Sequence, residues 1–450
     1  MEQSAADIRR LEYLIWDPPL RALTVFALPI ILGSIFQQVY NIADSVILGR
    51  FVGQNALAAV GASASLTNVF ICIAVGAGSG ASVLVSRRLG ERDYEGMKRA
   101  VWTSLSFFLV LSIALGAAGL FLGGPIMRVL HTPEDVIDLS VLYLQVYFAG
   151  FPFLFLYNVL SSMYNAIGKS RIPLYFLIFS SCLNVAMDLF MVIRLHMGVF
   201  GAALATLIAQ GISAALSFFV FRRLMRTFPG NGALFSLADL KHLLAYAIPS
   251  IIQQSTVSIG MMLVQSVVNS FGSEALAGFS ATARVENLVS VIFVSIGNAV
   301  SPFTAQNLGA GKKDRIRKGY HAGLLLDLVT AALAFAVMIP FSHAIAGLFL
   351  GQDGTPGAYS VAEQYMRWIG TFFFFLGAKM ATDGVLKGVG KMRIFMLANL
   401  CNLTLRVAAA MTLAPRFGIG FVWYAVPAGW ITNILISHAA LRKSEKNGWT

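Results

Sequence analysis

Residues 28–61 read LPIILGSIFQQVYNIADSVILGRFVGQNALAAVG, and residues 248–279 read IPSIIQQSTVSIGMMLVQSVVNSFGSEALAGF. The first stretch, followed to Gly90, returns in the second, followed to Gly309. Pro29 recurs as Pro249, Ala56-Leu57-Ala58 as Ala275-Leu276-Ala277, and Leu89-Gly90 as Leu308-Gly309. Further along, Gly168-Lys169-Ser170-Arg171-Ile172 recurs as Gly390-Lys391-Met392-Arg393-Ile394. Chance hydropathy would not hold that register over half a chain. Both copies are almost entirely apolar, so the sequence reads as a duplicated membrane protein.

Composition agrees. With 57% hydrophobic and 12% charged residues over 450 positions, and a mean hydropathy of +0.73, the chain lacks the polar surface to cover a soluble body of its size. The first twenty residues mix Glu2, Asp7 and Glu12 with Arg9 and Arg10. That pattern is not a cleaved leader, and the N-terminus is expected to be kept.

Apolar runs long enough to cross a bilayer fall at 22–48, 57–85, 100–122, 139–166, 173–193 and 199–221, then again at 243–269, 276–306, 320–346, 362–387, 394–414 and 419–440. The expected fold is all-α, with twelve transmembrane helices in two six-helix repeats. The expected organisation is an N-terminal lobe over 1–226, a cytoplasmic linker over 227–241 containing Pro229-Gly230-Asn231-Gly232, and a C-terminal lobe over 242–450.

A net charge of +12 raises the question of nucleic acid, and its distribution answers it. Arg87, Arg88, Arg92, Lys98 and Arg99 follow the second span, Lys169 and Arg171 the fourth, and Arg222, Arg223 and Arg226 the sixth. The second half repeats this with Lys312, Lys313, Arg315, Arg317 and Lys318, then Lys391 and Arg393, then Arg442, Lys443 and Lys446. The opposite loops carry only Arg50, Arg128, Arg194 and Arg416. This is a topology signal that puts both termini in the cytoplasm of an inner-membrane protein, and it excludes a nucleic-acid role. An even number of spans per half makes the repeats parallel, related by an axis along the membrane normal.

Other motifs carry less. Cys72, Cys182 and Cys401 lie in apolar spans without metal-ligand spacing and read as small buried hydrophobes. Gly76-Ala77-Gly78-Ser79-Gly80 resembles a dinucleotide loop but sits inside a span, where small residues serve close helix packing. Asn402-Leu403-Thr404, a formal glycosylation triplet, is at membrane depth. No HExxH, GxSxG or paired-His pattern suggests an enzyme.

Ionisable groups at membrane depth are costly, and function is their default explanation. In the first span Ser34, Gln37, Gln38, Asn41, Asp44 and Ser45 share about 120° of a helical wheel. In the fifth, Ser181, Asn184 and Asp188 stack on one face; in the sixth, Ala202 and Thr206 lie one turn apart, after Gly198 and Gly201. Two carboxylates, a carboxamide and a hydroxyl form a hard-oxygen set suited to H⁺ or Na⁺. Across the duplication Asp44 maps to Val264 and Asp188 to Arg406, while a neutral stripe persists as Gln254, Ser258, Met261, Gln265 and Asn269. Arg284 and Glu286 in the eighth span serve either interior packing or substrate contact, and Asp383 and Lys387 read as a local ion pair.

These residues carry a resemblance. Tyr40-Asn41-Ile42-Ala43-Asp44 followed by Gly49, the Asn184 to Asp188 pattern, the Gly198 to Thr206 segment and Leu386-Lys387-Gly388 are similar, over nearly the whole chain, to the multidrug and toxic compound extrusion (MATE) family. The resemblance implies two six-helix lobes forming a V-shaped carrier. It further implies the branch that keeps its cation site in the N-terminal lobe, with Asp44, Asn184, Asp188, Thr206 and the Ala202 backbone as cation ligands and Tyr40, Asn41 and Tyr143 beside them. Members that use a second-lobe site carry acids in spans seven and ten. Span seven has none here, and Asp383 is displaced from the expected position near Leu376.

The reading is therefore a secondary antiporter that exports amphipathic cationic organic compounds, driven by inward H⁺ or Na⁺. It needs no cofactor beyond the coupling ion, its partners are the small-molecule substrate and the lipid bilayer, and it is expected to act as a monomer. Gln37, Gln38, Gln254, Ser258, Met261, Gln265, Asn269, Arg284 and Glu286 are candidates to line the substrate cavity. A lipid-linked oligosaccharide flippase is the alternative within the superfamily, its basic groups limited to Arg284, Lys379 and Arg406. A non-transporting sensor or scaffold is the alternative outside it.

Overall fold

The computed structural model describes residues 12–129, 132–231, 235–351 and 354–449, the side chain of Ser65 excepted. The acidic and basic residues before Glu12, and Gly232 of the expected linker, lie outside the described residues. Among those described there is helix and no strand. In chain order the helices are α1 (Tyr13–Trp16), α2 (Pro19–Phe51), α3 (Gln54–Gly90), α4 (Tyr94–Val129), α5 (Glu134–Ala149), α6 (Phe151–Ala166), α7 (Arg171–Asp188) running on into a π-helical turn (Leu189–Arg194), and α8 (Gly198–Met225). There follow α9 (Leu237–Asn269), α10 (Ser273–Gly309), α11 (Lys313–Met338), α12 (Ser342–Leu350), α13 (Pro356–Gly388), α14 (Met392–Thr412), α15 (Ala414–Phe417) and α16 (Gly420–Lys446).

Eleven of these helices are long and apolar enough to cross a membrane, and α5 with α6, bent by 53°, make a twelfth span. The bend has a sequence cause. Gly150 and Pro152 adjoin at the junction, and a proline in the first turn of a new helix has no N–H to give the preceding one. Span nine also breaks, with α11 ending at Met338 and α12 starting at Ser342.

The duplication is written in the turns. Gly53 and Gly272 both have positive φ (109° and 90°), as do Gly168 and Gly390 (80° and 81°) and Arg92 and Gly311 (58° and 70°). The hydrogen bonds repeat as well: Lys169 N donates to Tyr164 O at 2.8 Å and Lys391 N to Leu386 O at 2.9 Å; Asp93 N donates to Arg88 O at 3.0 Å and Lys312 N to Asn307 O at 2.9 Å. The matched turn before α7 and α14 sets Asn184, not Asp188, opposite Arg406, and Asp188 opposite Ala410. The correspondence drawn from the sequence was one helical turn out, because it did not carry forward the wider offset that the match of Gly168 with Gly390 already holds.

Two compact units emerge, one made of Glu12 and Leu32–Ile251, the other of Tyr13–Ile31 and the chain from Ile252 onward. The divisions fall inside α2 and α9, two residues beyond Pro29 and Pro249. In the first unit α3 packs on α5 and α6, and α7 on α8; in the second, α10 packs on α13 and α14 on α16. Small residues permit the tightest crossings. A Cβ at Gly76 would lie 2.7 Å from Ile251 Cα, and one at Gly80 2.5 Å from Ala247 Cα, so the run Gly76 to Gly80 is a helix-packing surface.

Each unit has its own apolar core. In the first it is centred on Phe108, Phe148, Phe151, Phe155 and Tyr164. In the second it is centred on Phe293, Tyr365, Phe373, Trp423 and Trp430. Cys182 and Cys401, expected to be buried, are exposed on α7 and α14, and Cys72 is half-buried; all three are free thiols. A hydrophobic residue in a membrane helix need not face inward, since lipid accepts it equally well.

Candidate ion and substrate site

The candidate ligands of the first half come together within the first unit, from four helices. Tyr40 and Asp44 stand one turn apart on α2, Asn184 and Asp188 on α7, and Ala202 and Thr206 on α8; Tyr143 arrives from α5. Asp188 is fully buried and Asn184 2% exposed. Tyr40, Asp44, Thr206 and Tyr143 are half-buried.

Asn184 is the hub. One end of its amide lies 3.0 Å from Asp188 Oδ2 and 2.7 Å from Tyr40 Oη, the other 3.1 Å from Thr206 Oγ1 and 3.0 Å from Thr206 N. A backbone N–H can only donate, so the amide oxygen belongs on the Thr206 side. The amide nitrogen then donates to Asp188 and to the Tyr40 hydroxyl. Thr206 Oγ1 also reaches the Ala202 carbonyl at 3.1 Å. The Asp44 and Asp188 carboxyl groups are close enough to interact electrostatically, and Asp188 Oδ1 has no hydrogen-bond partner among the described residues.

Apolar side chains flank the site on one side. Leu48, Val192 and Ala202 are buried, with Val52 and Val60 against them, one turn past Asp44 and Asp188. The π-helical turn starts at the residue after Asp188 and packs its Met191 against Gly201, where a Cβ would lie 3.3 Å from Met191 Cβ. Such widened turns re-aim side chains and cluster at functional sites. A small cavity opens beside Thr206, lined by Tyr143, Tyr147, Gly150, Ala203, Leu207 and Gln210.

Two carboxylates cannot face each other in an apolar setting with both charges bare. Such a pair favours a bound proton or cation. The donor set of two carboxylates, the Thr206 hydroxyl and the Ala202 carbonyl is all hard oxygen and fits Na⁺ as well as H⁺. With its nitrogen toward Asp188, the Asn184 amide serves a carboxylate. Offering its oxygen there instead requires a cation or a proton at Asp188.

The candidates of the first half outside this cluster are more open: Gln37 and Asn41 are exposed and Gln38 half-buried. In the second unit Gln254, Ser258 and Gln265 are half-buried, Met261 and Asn269 are exposed, and Val264, the counterpart of Asp44, is buried. Gln265 Nε2 donates to Asn269 Oδ1 at 3.1 Å. Arg284 is exposed. Glu286 accepts a hydrogen bond from Tyr365 Oη, whose ring stacks between Phe279 and Trp423 at 5.2 and 5.1 Å. Arg406 points at Met261, Nη2 to Sδ 3.8 Å.

The expected pairing of Asp383 with Lys387 does not form. Asp383 pairs with Lys379, one turn back, at 2.9 Å, and accepts from Asn399 at 3.1 Å. Lys387 donates to Asn298 Oδ1 at 3.1 Å. Both lysines stand one turn from Asp383, and spacing alone could not choose between them.

Sequence reasoning also passed over Asp327, which is 2% exposed in the middle of α11. The signal was available, since it is a lone carboxylate in the apolar run from Leu324 to Ala334.

A duplicated bundle of membrane-length helices with an inward-facing polar cluster is the architecture of a membrane transporter. The chain belongs to the MatE family, whose model matches residues 29–190 and 249–412. It is 31% identical over 384 residues, 85% of each chain, to a Bacillus subtilis protein named "Probable multidrug resistance protein YpnP". It is 24% identical to the "FAD transporter" of Shewanella oneidensis, over 95% of this chain and 94% of that one. Its fold matches the "Crystal structure of MATE in the bent conformation" with a TM-score of 0.89 at 23% identity, covering 98% of this chain and 99% of that one. The protein is thus a multi-span membrane transporter of small molecules, not an enzyme.

Proposed function

We propose that the protein is a secondary antiporter of the inner membrane that exports amphipathic cationic organic compounds in exchange for inward H⁺ or Na⁺. The observation that carries this reading is the pair of the half-buried Asp44 and the buried Asp188, grouped with Asn184, Thr206 and the Ala202 carbonyl and with no basic side chain among their described partners. A carboxylate pair without a counter-ion has an intrinsic demand for a small cation.

In the proposed cycle the outward-facing state admits H⁺ or Na⁺ to Asp44 and Asp188. Asp44 approaches on α2 and Asp188 on α7, so the cation draws the two helices together. Their closure favours the conformation that releases substrate outside, and the cation leaves on the inward side. The bias equals the cation's differential affinity for the two states. Each charge moved inward gains about 2.3 kcal/mol per 100 mV of membrane potential. Tyr40, Asn41 and Tyr143 stand beside the site, and Gln37, Gln38 and the second-half candidates are the proposed substrate contacts. A relative named for multidrug resistance supports a small-molecule substrate, and the acidic character of the first-half site favours a cationic one.

The topology proposed with it places both termini in the cytoplasm and a cytoplasmic linker at 227–241 between lobes 1–226 and 242–450, with one chain as the working unit. A flippase of lipid-linked oligosaccharides would need a basic cavity. Lys379, one of its three candidate basic groups, is already bound to Asp383.

The test is ethidium efflux from proteoliposomes with Asp44→Asn and Asp188→Asn. Both variants should insert and fold but lose efflux driven by either ion. Full efflux in either would refute the proposal.

A further inference from the structure

The carboxyl of Asp327 has no partner on either oxygen among the described residues, although it is 2% exposed and lies mid-helix within a membrane-length segment. It is enclosed within the second unit by α10, α11 and α13. A Cβ at Gly377 of α13 would lie 2.6 Å from Asp327 Cβ and 3.2 Å from its Cγ, and 3.2 Å from Phe293 Cδ1 of α10. The contact is therefore possible only because residue 377 is glycine.

The titratable groups on the packed elements are spoken for. On α13 Lys379 binds Asp383, Glu363 binds Arg367 and His343 of α12, and Lys387 donates to Asn298. On α11 Tyr320 hydrogen-bonds Thr382 at 3.1 Å and His321 is exposed. The stretch of α10 alongside, Val289 to Ser301, carries no titratable side chain. An ionised carboxylate in such a place would be uncompensated.

We propose that Asp327 is a proton-binding site of the second half, separate from the Asp44 and Asp188 cluster. The ligand is a proton and not a metal ion, because hard cations need several oxygen ligands and this site offers a single carboxyl among apolar groups. The carboxylate takes H⁺ from water when α13 stands away from α11 and holds it as the neutral acid when Gly377 closes over it. It returns the same proton to water when the two helices part again. A static neutral acid would serve packing no better than leucine, whereas an acid that loads and unloads adds a proton step to a half with no acid at the Asp44 position.

Infrared spectroscopy of the purified full chain in lipid tests this without any transport measurement, so the result does not depend on the role of Asp44 and Asp188. Parent protein should show a protonated-carboxyl C=O band that shifts on mixing with D₂O, is missing from Asp327→Asn, and persists in the Asp44→Asn/Asp188→Asn double variant. If Asp327→Asn does not accumulate, Asp327→Glu should retain the band at a displaced frequency. The proposal is overturned if no band responds to substitution at 327, or if the responding band stays unexchanged in D₂O until the protein is unfolded.

Discussion

The Asn184 amide nitrogen lies 3.0 Å from Asp188 Oδ2, while the amide oxygen sits 3.0 Å from the Thr206 backbone nitrogen. One side chain thus ties the buried acid of α7 to the backbone of α8, and through Tyr40 to α2. Changes of charge at Asp188 are felt by three helices at once.

Asn184→Leu keeps the volume and removes the donor. Hydrogen bonds to charged groups contribute about 1.5–3 kcal/mol, and this donor favours the ionised form of Asp188, so without it the carboxyl should take up H⁺ more readily and half-maximal efflux should come at an H⁺ concentration lower by roughly tenfold or more. Ethidium efflux titrated against each ion reads the shift, and an unaltered midpoint would remove Asn184 from the site.

Lys379 and Asp383 are both buried and 2.9 Å apart. Breaking one side of such a pair costs about 3–5 kcal/mol, while replacing both partners by apolar groups is often neutral. Lys379→Met should lower the thermal unfolding temperature in detergent sharply, and Lys379→Met/Asp383→Leu should recover most of the loss. A double variant no more stable than the single would show that Asp383 has another partner that matters more.

Gly80 offers a pair with a built-in control. Gly80→Ala forces a methyl to within 2.5 Å of Ala247 Cα, whereas nothing lies within 4 Å of a Cβ at Gly61. Overpacking costs about 1–3 kcal/mol, so Gly80→Ala should reduce folded yield and Gly61→Ala should not. Equal yields would mean that α3 and α9 do not cross as closely as described.

Lys98, 9% exposed, donates to Phe228 O at 2.8 Å and Gly230 O at 2.6 Å, fastening the segment after α8. Lys98→Met leaves those carbonyls without this donor and should speed proteolytic cleavage near residues 226–231 while leaving the helices protected. Unchanged cleavage kinetics would assign the restraint elsewhere.

The fold was legible in the sequence because membrane helices announce themselves by length and apolarity and because the repeat could be read residue against residue. The polar stripe Ser181, Asn184, Asp188 was legible for the same reason: three polar residues at helical spacing in an apolar run have one inward face. What stayed hidden depended on tertiary choices. Lys379 and Lys387 flank Asp383 symmetrically in sequence, and only packing selects Lys379. The π-helical turn after Asp188 comes from the run Leu189 to Arg194, which has no breaker residue to signal it. Cys182 and Cys401 are exposed, a choice that an apolar surrounding, unlike water, does not penalise. Asp327 has only Thr330 as a polar neighbour one turn along, and that hydroxyl is taken up by Leu326 O, so Asp327 looked like an isolated substitution until its burial and its lack of partners appeared together.

The central claim is that Asp44 and Asp188 hold the coupling cation between them. Its most direct test is efflux of ethidium from proteoliposomes of parent, Asp44→Asn and Asp188→Asn protein, with pH and sodium gradients imposed separately. The account predicts that at least one gradient drives parent efflux and that both variants lose it while ethidium still equilibrates passively. Gradient-driven efflux at the parent rate in either variant would contradict it.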